Sequence, residues 1–160
     1  MGAALIIAVD SIRGRLKLSR TMGADEVIDY TEEDPVAAIK RLTGGRGVDV
    51  AIEALGTQGT FQSCLDATRP GGRVSSLGVY GGKLELPVEA YVYGIGDKQI
   101  LSTLCPGGKE RMRKLMELVR RGRFDPEPLI THRFNLDQIE EAYELFGNQR
   151  DGVVKVAITP

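Results

Sequence analysis

Among its 160 residues this chain has one histidine, His132, two cysteines, Cys64 and Cys105, and no tryptophan. The cysteines lie far apart and form no CxxC, and one histidine cannot complete a ligand set with them. That argues against a disulfide framework or a structural zinc site. Reduced thiols fit a cytoplasmic protein. No apolar run approaches the roughly 18 residues of a membrane span, and the N-terminus has neither the basic region nor the cleavage site of a signal peptide. Neither sign of charge is in excess: 21 Lys and Arg stand against 22 Asp and Glu, so nothing draws the chain to nucleic acid or to an anionic membrane. A partner must be recognised locally. A glycine-rich phosphate turn is missing too. Gly94, Gly96 and then Gln99 make a near miss to G-x-G-x-x-G, and no glycine run is followed by Lys and Ser or Thr. No nucleophile, base and orienting acid combine into a catalytic constellation. The missing tryptophan decides nothing.

What is present is an ordinary composition for one folded domain, 42% hydrophobic and 27% charged. The most informative stretch is LIIAVD, Leu5 to Asp10. It reads as a strand buried on both faces that stops at a carboxylate. In dinucleotide-binding folds an acid at the tip of the second strand accepts hydrogen bonds from the adenosine ribose and repels a 2′-phosphate. Asp10 is therefore the first candidate binding residue, with capping of the next helix as the alternative. A helix over 12–22 is stopped by Gly23, and EVIDY, residues 26–30, is a short strand. Asp34 and Pro35 open a helix that Gly44 and Gly45 end. Val48 to Glu53 is another strand ending in an acid. Thr57 caps a helix with Phe61, Cys64, Leu65 and Thr68 on one face, and Pro70, Gly71 and Gly72 break it before a strand over 73–77. Beyond the glycine-rich turn at 78–82 come a short helix over 86–93 and a strand over 99–104. Next is a helix ending at Gly122 with the apolar stripe Met112, Leu115, Met116 and Val119. Its Arg111, Arg113, Lys114, Arg120 and Arg121 read as a solvated face, because no aromatic residues are interleaved. Past a linker at 125–128 there is a strand over 129–134. Asn135 and Gln138 then open a helix whose buried face is Leu136, Ile139, Ala142, Tyr143 and Phe146, and a last strand spans 153–158. Alternating strands and helices of this length predict βαβ units and a doubly wound parallel sheet with right-handed crossovers.

The order IIAVD, GADEVIDY, GGRGVDVAIEALGT, RPGGRVSSLGVYG and ITHRFNLDQIEEAYELF resembles the zinc-dependent alcohol dehydrogenases of the medium-chain dehydrogenase/reductase family, over almost the whole chain. LCPGGKERMRKLMELV brings it nearest to the secondary alcohol dehydrogenases. The resemblance implies a Rossmann-like sheet, here without its first strand and glycine-rich turn, over residues 1–124. Residues 125–160 would be a strand–helix–strand segment of a GroES-like substrate domain. It implies NAD as cofactor, with NADP disfavoured by Asp10, and hydride transfer from an alcohol polarised by zinc. The family's zinc ligands lie in segments not found here. No catalytic or metal residue is therefore assigned, and the chain by itself is expected to be inert or nearly so. In the strand order 3-2-1-4-5-6, the strands 5–10 and 48–53 would be left as unpaired apolar edges. They could pair with each other, take up VVKVAI, or pair with another chain. A homo-oligomer is expected, since exposed edges invite association. In the family, the strand matching 99–104 pairs with its counterpart in a second subunit.

By the same resemblance Asp10 sits on the adenosine ribose, with Arg15 near that ribose or the adenine and Tyr30 beside the adenine. Ala54, Leu55 and Gly56 would line the adenine side, and Gly78, Val79 and Tyr80 the nicotinamide carboxamide. Ser102, Thr103 and Leu104 would approach the nicotinamide ring, and Lys155 a phosphate. Each also has a plain reading: solvated arginines for Arg13 and Arg15, a half-buried strand-end tyrosine, and ordinary turns and sheet-edge residues. His132, the lone histidine, is not a base at this position in the family, and Cys105 reads as small and buried. A methyltransferase would also use a strand-tip acid, but with a glycine-rich turn after its first strand. A non-catalytic nucleotide-binding or oligomerisation module would need nothing that is missing.

Overall fold

The computed structural model describes residues 2–86, 94–104 and 107–160. The helix expected over 86–93, after its first residue, and Cys105 lie outside the described residues. In chain order the elements are β1 (Ile7–Asp10), α1 (Arg13–Thr21), β2 (Glu26–Asp29), α2 (Pro35–Leu42), β3 (Val48–Glu53), α3 (Gln58–Ala67), β4 (Thr68–Ser76) and β5 (Gln99–Ser102). α4 (Lys109–Arg120), β6 (Ile130–Asn135), α5 (Ile139–Gly147) and β7 (Lys155–Thr159) follow. Two compact units result, Ile28–Pro106 as one, and Met1–Val27 with Gly107–Pro160 as the other.

The unit Ile28–Pro106 carries the three-stranded parallel sheet β3-β4-β5. Its register brings the strand ends together, with Glu53 opposite Ser76 and Ser76 opposite Ser102. Phe61, Leu65 and Val74 form the core, and Cys64, Tyr80, Leu86 and Ile95 pack against it. The Phe61 and Tyr80 rings meet edge to face, 6.3 Å apart at 88°. Local chemistry starts both helices as expected. The Ala37 amide donates to Asp34 Oδ1 (2.7 Å), with Pro35 as the first helical residue, and the Thr60 amide donates to Thr57 Oγ1 (3.2 Å). One boundary differs from the sequence reading. α3 ends at Ala67, ahead of Pro70, Gly71 and Gly72, and β4 begins at once at Thr68 and carries those three residues as an irregularity. Val48 pairs with Thr68, whereas Val50 already pairs with Arg73. Gly71 takes φ +67° there, a conformation that suits glycine.

In the other unit, β6 and β7 form a parallel pair joined through α5, the expected strand–helix–strand. Gln138 Oε1 accepts from the Asn135 amide (3.1 Å) where this helical segment starts. β1 makes a two-stranded sheet with β2. Neither intramolecular cover expected for the apolar edges occurs among the described residues: β3 pairs only with β4, and β7 pairs with β6. The buried face expected for the last helix is also corrected, and the apolar stripe of the helix before it is found uncovered. α4 has no buried residue; on α5 Ala142 is buried and Ile139 half-buried, whereas Tyr143 and Phe146 are exposed, as is Leu136 in the turn just before it. A 3.6-residue apolar period sets which residues share a face, but not that anything covers it.

Candidate functional site

Asp10 ends β1 and turns the chain into α1. Its Oδ1 accepts from the amides of Ser11 (2.8 Å) and Ile12 (2.9 Å), so it braces the turn two residues ahead of the N-cap residue Ile12, which makes no side-chain cap bond. Oδ2 has no hydrogen bond among the described residues. The half-buried carboxylate borders an open cleft of about 390 Å³, floored by Ile6 and Ala8 and walled by Arg15, Leu18, Ser19 and Met22. Strand alternation brings Ile6, Ala8 and Asp10 to one face, and α1 presents Arg15, Leu18, Ser19 and Met22 at helical spacing.

A second acid was visible in the sequence at the tip of β3 without being read as a site residue. Glu53 is 1% exposed. Its Oε1 accepts from the amides of Leu55 (2.9 Å) and Gly56 (2.7 Å) and from Thr60 Oγ1 (2.7 Å), and Oε2 accepts from the Tyr80 hydroxyl (2.7 Å). That hydroxyl also bonds Ser76 Oγ (2.7 Å). Burial pushes the Glu53 carboxyl up. The donors at Gly56, Thr60, Tyr80 and Leu55 outweigh it and hold the pKa at about 2. Burial, then the Glu53 charge, raise the neighbouring Cys64 thiol to about 11, which makes it a packing residue and not a nucleophile.

The turns 54–56 and 78–80 meet backbone to backbone. A Cβ on Gly56 would overlap Val79 O, and one on Gly78 would overlap Gly56 N and Glu53 Oε2. The Thr103 amide donates to Ser76 O (3.1 Å), which sets 102–104 beside the end of β4. Thus Ala54, Leu55, Gly56, Gly78, Val79, Tyr80, Ser102, Thr103 and Leu104 gather at one end of the β3-β4-β5 sheet. Leu55, Val79 and Leu104 are exposed there. Tyr30, also in this unit, is exposed at the end of β2. Asp10 and Arg15 share the cleft of the other unit, whereas Lys155 is exposed on β7 and does not line it. His132 on β6 is held locally: Nδ1 meets Thr131 Oγ1 (2.9 Å) and Nε2 meets Oδ2 of Asp151 in the turn before β7 (3.3 Å). The described residues contain no group of three or more His, Cys, Asp or Glu, so they do not supply a zinc donor set.

Parallel strands joined by helices, with acids at the strand tips, define a Rossmann-type α/β protein. The zinc-binding dehydrogenase family model matches residues 1–121, and the chain belongs to that family. It is 53% identical over 159 residues to an alcohol dehydrogenase of Cupriavidus necator, covering 99% of this chain and 43% of the relative. An NADP-dependent isopropanol dehydrogenase of Entamoeba histolytica is 35% identical over 162 residues, covering 99% and 44%. The solved alcohol dehydrogenase TADH from Thermus sp. ATN1 superposes with a TM-score of 0.87 at 30% identity, covering 99% of this chain and 45% of that one. The chain spans less than half the length of each.

Proposed function

We propose that this chain is the dinucleotide-binding part of an NAD-dependent alcohol dehydrogenase, in which hydride passes between an alcohol carbon and a nicotinamide. Asp10 carries the reading. One carboxylate oxygen is committed to the β1–α1 turn, and the other is open beside a cleft that Arg15 also lines. A charged acceptor at a strand tip suits ribose hydroxyls and repels a 2′-phosphate. NAD is therefore proposed here, although the isopropanol dehydrogenase relative is named as NADP-dependent. In this reading Tyr30 and residues 54–56 serve the adenine side, 78–80 and 102–104 the nicotinamide side, and Lys155 a phosphate. Residues 1–124 form the cofactor part and 125–160 a segment of the substrate domain. Exposed Val50 and Ile52 on β3 support self-association as the way its free edge is covered.

NADH titration followed by fluorescence tests the reading. The wild-type chain should saturate. Asp10→Ala should raise Kd about tenfold or more, since hydrogen bonds to a charged group are worth roughly 1.5–3 kcal/mol, and should narrow discrimination against NADPH. No saturable binding, or an unchanged Kd in Asp10→Ala, overturns it.

A further inference from the structure

Among the described residues of the unit Ile28–Pro106, the side chain with the most hydrogen bonds, Glu53, is only 1% exposed, out of reach of a ligand. Glu53 is buried at the end of β3, and its two oxygens face different segments. Oε1 takes the Leu55 and Gly56 amides and Thr60 Oγ1; Oε2 takes the Tyr80 hydroxyl. Four donors occupy the acceptor capacity of the carboxylate, so it has nothing left to offer a substrate or cofactor directly. From Tyr80 the chain of bonds runs to Ser76 Oγ (2.7 Å). Ser76 lies opposite Ser102 in the ladder and accepts the Thr103 amide through its carbonyl. Between the turns there is only backbone, because Gly56 and Gly78 leave no room for a Cβ.

We propose that Glu53 is a positioning residue: its single buried carboxylate ties the turn 54–56 to the turn 78–80 and so sets the spacing of the backbone that meets the two ends of the dinucleotide. The proposal rests on the cofactor reading above for the identity of the ligand. The tie itself does not. A buried charge satisfied from two sides couples them, since moving either turn strips donors from a carboxylate that water cannot reach.

Tyr80→Phe tests this in the whole 160-residue chain, because it removes the donor to Oε2, and with it the bond to Ser76 Oγ, while keeping the ring against Phe61. Glu53→Gln is the second variant. The readouts are Kd for NADH, Kd for ADP-ribose, which lacks the nicotinamide, and amide hydrogen exchange at residues 55–56. In Tyr80→Phe, ADP-ribose affinity should stay within about twofold while NADH loses at least about fivefold, a typical size for coupling between sites. Exchange at the Leu55 and Gly56 amides should accelerate although neither bonds Tyr80. Glu53→Gln should weaken both ligands. If the Gln variant does not fold, Tyr80→Phe decides alone. Unchanged exchange at 55–56 overturns the proposal whatever the ligand ratio does, since Tyr80 itself belongs to the nicotinamide side. If the wild-type chain binds neither ligand, the cofactor reading falls by itself. Exchange in Tyr80→Phe then still decides the tie: faster supports it, unchanged overturns it.

Discussion

Asp10 and Glu53 each end a strand, yet their carboxylates meet different surroundings. Asp10 uses one oxygen to hold the turn it sits in, with partners one and two residues away. Glu53 is satisfied from as far as Tyr80, 27 residues on. Its pKa of about 2, against an ordinary 4.5, makes a pH prediction. A lowered folded-state pKa contributes stability that is complete above the unfolded value and lost as pH falls through the folded one. Urea unfolding from pH 5 down to about 2 should show wild type losing on the order of 3 kcal/mol more than Glu53→Gln across that window. Parallel profiles would show that Glu53 is not held charged. Gly78→Ala places a methyl group against Gly56 N and Glu53 Oε2, and should destabilise by roughly 1–3 kcal/mol in the same assay, as overpacking does. The acid at each strand tip was legible in the sequence. Which of the two would be buried was not, because the Glu53 environment is assembled from Thr60, Ser76 and Tyr80 on other segments.

At the scale of elements, starts were more legible than faces. Asp34 with Pro35 and Thr57 with Thr60 act within one turn, so sequence neighbours decide them. Asp34→Ala should therefore cost about 1 kcal/mol in urea unfolding, the usual worth of an N-cap side chain. An unchanged midpoint would mean α2 does not depend on its cap. α4 shows the opposite case. Along it Arg113 and Lys114 pair with Glu110, and Arg120 and the following Arg121 with Glu117, which agrees with a solvated face. Its apolar residues Met112, Leu115 and Met116 are exposed as well. Leu115→Ala should shift stability by less than about 0.5 kcal/mol, as surface substitutions do. A loss of 2 kcal/mol or more, the scale of a core truncation, would place this stripe in a buried contact.

For the whole molecule, the question is how its sheet edges are covered. β3 is hydrogen-bonded on one side only among the described residues, with Val50 53% and Ile52 65% exposed. An apolar strand in that state favours association. Sedimentation should find assemblies larger than one chain, and Ile52→Lys should shift them toward monomer. A monodisperse wild-type monomer would remove self-association from the proposal. No helix among the described residues is long and apolar enough to cross a membrane. The sequence by itself determined the strand–helix alternation, the parallel pairing that alternation demands, the local caps and the acids at the strand tips. These depend on periodicity and on side chains bonding within a few residues. Tertiary structure alone decided three things. Among the described residues no second strand reaches the edge of β3, the apolar stripe of α4 stays unburied and α5 buries only part of its own, and Glu53 is enclosed by donors from three segments. Burial and long-range hydrogen bonds depend on which distant segments arrive at a place, and no local pattern encodes that.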